Sequence, residues 1–107
     1  RTRRPRLGYG PGGLSGPAVH PLAVGMVRRI YDAFTRDAGV PIIGLGGARS
    51  WEQAAAFILA GASAVGMGTT LFHDPQAPRR MLRGLDRWVA KQGCSSLREL
   101  IGAMETP

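Results

Sequence analysis

Short apolar runs that stop at glycine pairs set the pattern of this chain, and the densest instance lies between Val40 and Thr70, VPIIGLGGARSWEQAAAFILAGASAVGMGTT. Val40-Pro41-Ile42-Ile43 is apolar, rich in β-branched residues, and runs into Gly44-Leu45-Gly46-Gly47, which predicts a short strand buried on both faces. From Ser50 the period lengthens. Trp51, Ala54, Ala55, Ile58 and Ala62 fall at helical spacing, Ser50 and Gln53 have the spacing of a capping box, and Gly61 supplies a stop. Ala64-Val65-Gly66-Met67 then predicts a second buried strand, ending at Gly68-Thr69-Thr70. A right-handed strand–helix–strand unit brings both strand ends to one edge of a parallel sheet. The backbone N–H groups of Gly46-Gly47 and Gly68-Thr69 are therefore expected to converge on one spot, and such a spot suits a phosphate.

The flanks continue the alternation. Residues 1–11 read as a basic loop with Pro5, Gly8, Gly10 and Pro11, followed by a glycine-rich turn, Gly12-Gly13-Leu14-Ser15-Gly16-Pro17, where backbone can approach a ligand closely. Pro21 suits the first turn of a helix whose apolar stripe, Leu22, Ala23, Met26, Val27, Ile30 and Phe34, is expected to cover a sheet as core. Gly39 ends it. His20, at its start, reads as a cap-region residue that is satisfied or exposed rather than a ligand. Asp74 and Pro75 predict another helix start, with Met81, Leu82, Leu85, Trp88 and Val89 on its apolar side and Gly93 as breaker. Ser96 and Glu99 form a second capping box, opening a short last helix.

Length changes the picture. The 107 residues, 44% hydrophobic, suffice for one small domain but not for a complete α/β barrel of ~250 residues. With Arg1 as first residue, the chain reads as a fragment of a longer protein. The net charge of +7 comes from fourteen basic residues, thirteen of them arginine. Four arginines lie in the first six residues and most others alternate with apolar helix positions, so a solvated face and a basic loop account for the charge. With no aromatic platform or recognition motif, no nucleic-acid partner is expected. The single cysteine, Cys94, excludes an intrachain disulfide or a CxxC metal site and reads as an inert turn residue; no metal site is expected. The uncharged run Ala54 to Phe72 has the length of a membrane span, but its glycines and threonines fit strand and turn better, and no membrane partner is expected.

Gly44-x-Gly46 lacks the third glycine of a dinucleotide fingerprint, Arg49 standing in its place, and no lysine follows to make a Walker loop. Two glycine turns one strand–helix–strand unit apart instead resemble the phosphate site after strands 7 and 8 of a (β/α)8 barrel. The expected fold class is thus α/β: the C-terminal part of a TIM (β/α)8 barrel, its last two parallel strands with covering helices, over residues 12–107.

Three segments carry a family resemblance: GGLSGPAVHPLAVGMVRRIY, VPIIGLGGARSWEQAAAFILAGASAVGMGTTLF and GLDRWVAKQGCSSLRELIG. Together, in this order and near these separations, they resemble the C-terminal third of the class 1 dihydroorotate dehydrogenases, most closely the type paired with a separate electron-transfer subunit. The resemblance implies FMN-dependent oxidation of dihydroorotate to orotate in pyrimidine biosynthesis, in a cytoplasmic enzyme that is a homo-oligomer at full length and has an iron–sulfur/FAD partner subunit. It implies that Gly16 contacts FMN through its backbone, with Ser15 supporting the turn, and that Gly46, Gly47, Gly68 and Thr69 hold the FMN phosphate. The base, the substrate asparagines and the lysine near the flavin would lie upstream, so no catalytic residue is assigned and the chain alone is expected to be inactive. Two departures stand out: 35–39 is longer than usual for the family, and Gly66 lightens the second strand. Alternatives are another flavin barrel that reduces pyrimidine rings, or a non-flavin phosphate-binding barrel isomerase or synthase.

Overall fold

The computed structural model describes Arg3 and residues 7–105. A 3-10 turn, Pro17–Val19, leads into helix α1, His20–Ile30, which passes through a π-helical turn, Tyr31–Thr35, into the short α2, Arg36–Ala38. Strand β1, Ile43–Leu45, helix α3, Trp51–Ala60, and strand β2, Ala64–Gly66, form the central unit. Helices α4, Thr70–His73, and α5, Ala77–Lys91, and a 3-10 turn, Leu97–Leu100, complete the order. The two strands pair in parallel, with Ile43 opposite Ala64, Gly44 opposite Val65 and Leu45 opposite Gly66. The expected strand–helix–strand unit is thus present, and α1 and α5 flank α3.

The core lies between sheet and helices. Phe57 and Ile58 of α3 are fully buried, and Phe57 clusters with Val27, Ala48, Ala54, Ala60, Ala62 and Met81. Gly44 makes close approach possible, because a Cβ there would press to 2.7 Å from the Phe57 ring. Tyr31 is held in the same manner: a Cβ at either Gly61 or Gly102 would strike its ring. The last residues are tied back by amides of Gly102 and Met104 donating to the carbonyls of Ile58 and Leu59, each at 3.0 Å. Arg28 Nη1 donates to the Gly102 and Met104 carbonyls from the other side, at 3.3 Å each.

Several sequence expectations shift. The first strand pairs at 43–45 rather than from Val40: Pro41 has no N–H to donate, and Val40 is exposed. The ladder is only foreshadowed at the Ile42 carbonyl, which accepts from Ser63 N at 2.8 Å. Nor is this strand buried on both faces, since Gly44 is covered while Ile43 and Leu45 on the opposite side are 69% and 64% exposed. The stripe expected as core on α1 is split. Val27 is buried with Ala23 and Val24 packed beside it, whereas Leu22, Met26, Ile30 and Phe34 are exposed. The i, i+3, i+4 pattern holds two adjacent apolar faces, and α3 covers only one of them. Leu82 on α5 is likewise exposed.

The helix after Asp74 starts at Ala77, with Asp74 Oδ1 accepting from Gln76 N at 3.1 Å, and α4 precedes it unannounced by the sequence pattern. At the start of α3 Ser50 Oγ accepts from Gln53 N at 3.4 Å, but Gln53 Oε1 accepts from Arg49 N at 2.7 Å, so the box closes one residue early. The Ser96–Glu99 box is complete, on a 3-10 turn. Gly39, Gly61 and Gly93 stand at helix ends with φ of 68°, 121° and 71°. The residues of 35–39 lie in the π turn and the last turn of the helix. Part of the expected 1–11 loop lies outside the described residues; within it Gly10 N donates to Leu7 O at 3.0 Å.

Candidate functional site

The chain leaves β1 through Gly46-Gly47 and β2 through Gly68-Thr69, and all four residues line one cavity of about 210 Å³ together with Gly16 from the loop before α1. Ser15 is also in its wall. The turns are fastened to each other by a buried hydrogen bond, Thr70 Oγ1 donating to the Ala48 carbonyl at 2.8 Å. They are fastened to the helix layer by His20, which is buried, with Nδ1 3.0 Å from the Gly46 carbonyl oxygen and its ring edge-on to Phe57 at 4.9 Å. His20 is therefore a satisfied structural histidine, as its place in the sequence suggested.

The glycines differ in why they are glycine. Gly47 has φ 65°, and a Cβ there would strike the Gly16 carbonyl and sit 3.1 Å from His20 Cβ. Gly46 has φ 144°, with Ala23 Cβ only 2.8 Å from where its Cβ would be. Gly16, at φ 89°, needs glycine for its backbone alone. Gly68 needs it for neither reason: its φ lies outside the left-handed region, and a Cβ would meet nothing within 4 Å. Gly68 is also one of the residues that line the cavity.

Polar character comes from the backbone. Among the described residues, no charged side chain lines the cavity. The amides of Gly47, Ala48, Gly68 and Thr69 donate to no other group among the described residues, and the Thr69 hydroxyl adds a further donor in the wall. Amides at a cavity wall that are free of a competing acceptor suit a phosphate dianion. At about 210 Å³ the cavity is smaller than the roughly 300–1,000 Å³ of sites that enclose a whole small molecule, so it fits one end of a larger ligand. A phosphate-ended cofactor such as FMN matches this donor set. All five sequence-predicted residues meet here. Thr70 and His20, which hold the turns in place, were not singled out as part of the site, although a threonine between a glycine turn and an apolar Leu71-Phe72 pair must find an acceptor once buried.

The family model for dihydroorotate dehydrogenase matches residues 1–89. The chain belongs to that family. Among the relatives of this chain, the catalytic subunit of dihydroorotate dehydrogenase B (NAD(+)) from Geotalea daltonii is 47% identical over 105 residues, 98% of this chain and 33% of the relative. A Solibacter usitatus protein provisionally designated dihydroorotate dehydrogenase A (fumarate) is also 47% identical over 98% of this chain and 33% of its own length. The chain thus spans about a third of these relatives. In solved structures, the Eimeria tenella dihydroorotate dehydrogenase in complex with ferulenol superposes with a TM-score of 0.79 at 29% identity, over 92% of this chain and 26% of the other. The two parallel strands and their helices are consistent with part of a TIM barrel. No helix among the described residues is long and apolar enough to cross a membrane.

Proposed function

We propose that this chain is the phosphate-holding end of an FMN-dependent dihydroorotate dehydrogenase that oxidises dihydroorotate to orotate in pyrimidine biosynthesis. The observation that carries the reading is the meeting of three glycine turns around one small cavity with unpaired amides, in a chain of this family. Gly46, Gly47, Gly68 and Thr69 hold the phosphate, Gly16 offers backbone at the rim, and Thr70 and His20 keep the turns in register. FMN, when bound, supplies the ring that accepts a hydride from dihydroorotate. The residues described here orient its phosphate end and contribute no proton acceptor at the reacting carbon. The chain alone is therefore expected to bind FMN weakly and to turn nothing over. The names of several relatives contain the words catalytic subunit, which supports a separate partner subunit for the complete protein; the reading makes that partner an iron–sulfur/FAD electron-transfer subunit of a cytoplasmic enzyme.

Two measurements test this. Titration of the purified chain against FMN and riboflavin, read by flavin fluorescence, is expected to favour FMN clearly, because only FMN carries the phosphate. Equal binding of the two would remove the phosphate from the assignment. A chimera in which the chain replaces the matched third of the Geotalea daltonii catalytic subunit is expected to retain FMN and oxidise dihydroorotate. A chimera that folds but is colourless would refute the proposal.

A further inference from the structure

A second cavity, of about 400 Å³, lies where the start of α3 meets α5 and shares no residue with the one at the strand ends. Arg49, Arg80, Arg83 and Arg87 wall it around Trp51. Arg80, Arg83 and Arg87 follow i, i+3, i+7 spacing and so form one row along α5, about 10 Å long at 1.5 Å rise per residue. Arg49 joins them from the turn before α3. Only Arg80 has an acidic partner in the described residues, Asp74; Arg49, Arg83 and Arg87 are in no ion pair there. Glu52, exposed in the first turn of α3, does not line the cavity. The amides of Trp51 and Glu52 find no acceptor among the described residues, since Ser50 takes those of Gln53 and Ala54. Trp51 lies over Gly84, where a Cβ would strike its ring, and pairs with Trp88 at 6.5 Å between centroids. A smaller hollow beside Trp51, Arg87 and Trp88 carries Lys91.

We propose that this groove binds an oligophosphate anion. Guanidinium forks engage phosphate oxygens in pairs, and three of them in a row with a fourth on the facing turn call for a chain of phosphates rather than one group. Two free helix-start amides add donors at one end of the row. The Trp51 ring forms an apolar wall on which a base could rest, so a nucleoside polyphosphate is one source of the chain and inorganic oligophosphate the other. This site is independent of the FMN cavity and of the activity proposed for it.

The test is direct because one of the chain's two tryptophans, Trp51, lines the groove and the other, Trp88, pairs with it, so intrinsic fluorescence reports on the groove. Purified chain is titrated with inorganic tripolyphosphate and with ATP at low ionic strength. The expected result is a saturable emission change for both, weakening as salt is raised. The exposed pair Arg83→Ala and Arg87→Ala, changed together, is expected to lower affinity at least tenfold, with Gly68→Ala leaving it unchanged. Tighter binding of ATP would assign the chain to a nucleotide, and equal binding to the phosphates alone. Equilibrium dialysis of labelled tripolyphosphate with the chimeric enzyme, with and without the arginine pair, repeats the test without fluorescence. Absence of saturable binding in both formats, or equal affinity in the arginine variant, would overturn the proposal.

Discussion

Gly47 and Gly68 line the same cavity, and replacing each by alanine is expected to have opposite consequences. At Gly47 a side chain must adopt φ near 65°, which costs about 1–2 kcal/mol for a residue with a Cβ. The new methyl also collides with the Gly16 carbonyl, a backbone atom that cannot rotate away, and overpacking of this kind costs about 1–3 kcal/mol. Gly47→Ala should therefore lose about 2–5 kcal/mol, a large part of the roughly 5–15 kcal/mol that holds a domain together. At Gly68 the methyl enters open space with no conformational strain. Stability should stay level or rise by about 0.4–1 kcal/mol, through the lowered freedom of the unfolded chain. Gly68→Ala should nevertheless weaken ligand binding without loss of stability, because Gly68 lines the cavity proposed for the phosphate. Losing one charge-assisted hydrogen bond, at about 1.5–3 kcal/mol, weakens FMN binding by roughly tenfold to a hundredfold. Urea unfolding followed by circular dichroism gives the first quantity, and flavin fluorescence titration the second. The reasoning fails if Gly47→Ala unfolds at the parent midpoint, or if Gly68→Ala binds FMN as tightly as the parent.

Other substitutions probe the supports of the cavity. Thr70→Val removes the hydroxyl that donates to the buried Ala48 carbonyl, and should cost about 1–3 kcal/mol in unfolding experiments while weakening FMN binding through the loosened turn. Phe57→Ala empties the space beneath Gly44 and beside His20, with an expected loss of about 3–5 kcal/mol by urea titration. Glu99 accepts from the Ser95 hydroxyl and from the Ser95 and Ser96 amides, and these bonds hold its carboxyl below the usual range. A lowered folded-state pKa means that its contribution is complete above the ordinary carboxylate value and disappears as pH falls through the lowered one. The protection factors of the Ser95 and Ser96 amides, that is, the intrinsic exchange rate at each pH divided by the observed one, should accordingly fall on acidification, and should already be low at neutral pH in Glu99→Gln, where a weaker neutral acceptor replaces the carboxylate.

The central unit was legible because each of its parts is announced locally. Ser50 before an apolar period, Gly61 after it, and glycine turns closing two short apolar runs leave few alternatives to strand, helix and strand. The meeting of the turns followed from parallel pairing, since both must leave the same sheet edge. What was not legible depended on neighbours. The π turn at 31–35 follows from no capping residue, and its Tyr31 is locked by two glycines, Gly61 and Gly102, distant in the chain. The split of the α1 stripe could not be read either, because Leu22 and Val27 are equally apolar and only the position of α3 decides which is covered. The arginine groove escaped for a similar reason: Arg49 and the row on α5 are thirty residues apart in sequence and become one wall only when α3 and α5 pack.

The two sides of β1 differ in what they contribute to the turns that line the cavity. Ile43 and Leu45 are exposed on one side of the strand, while Gly44 is buried on the other. Everything that positions the turns lies on the other side. Phe57 sets the distance of α3 from Gly44, His20 takes the Gly46 carbonyl, and Thr70 takes that of Ala48. Each is buried, and each acts on backbone rather than on a side chain of the cavity. The cavity's donors are backbone too, so their directions are set once the helix layer has closed on the sheet. Contacts on the covered side of β1 therefore fix the turns, and the backbone donors proposed for a phosphate are fixed with them.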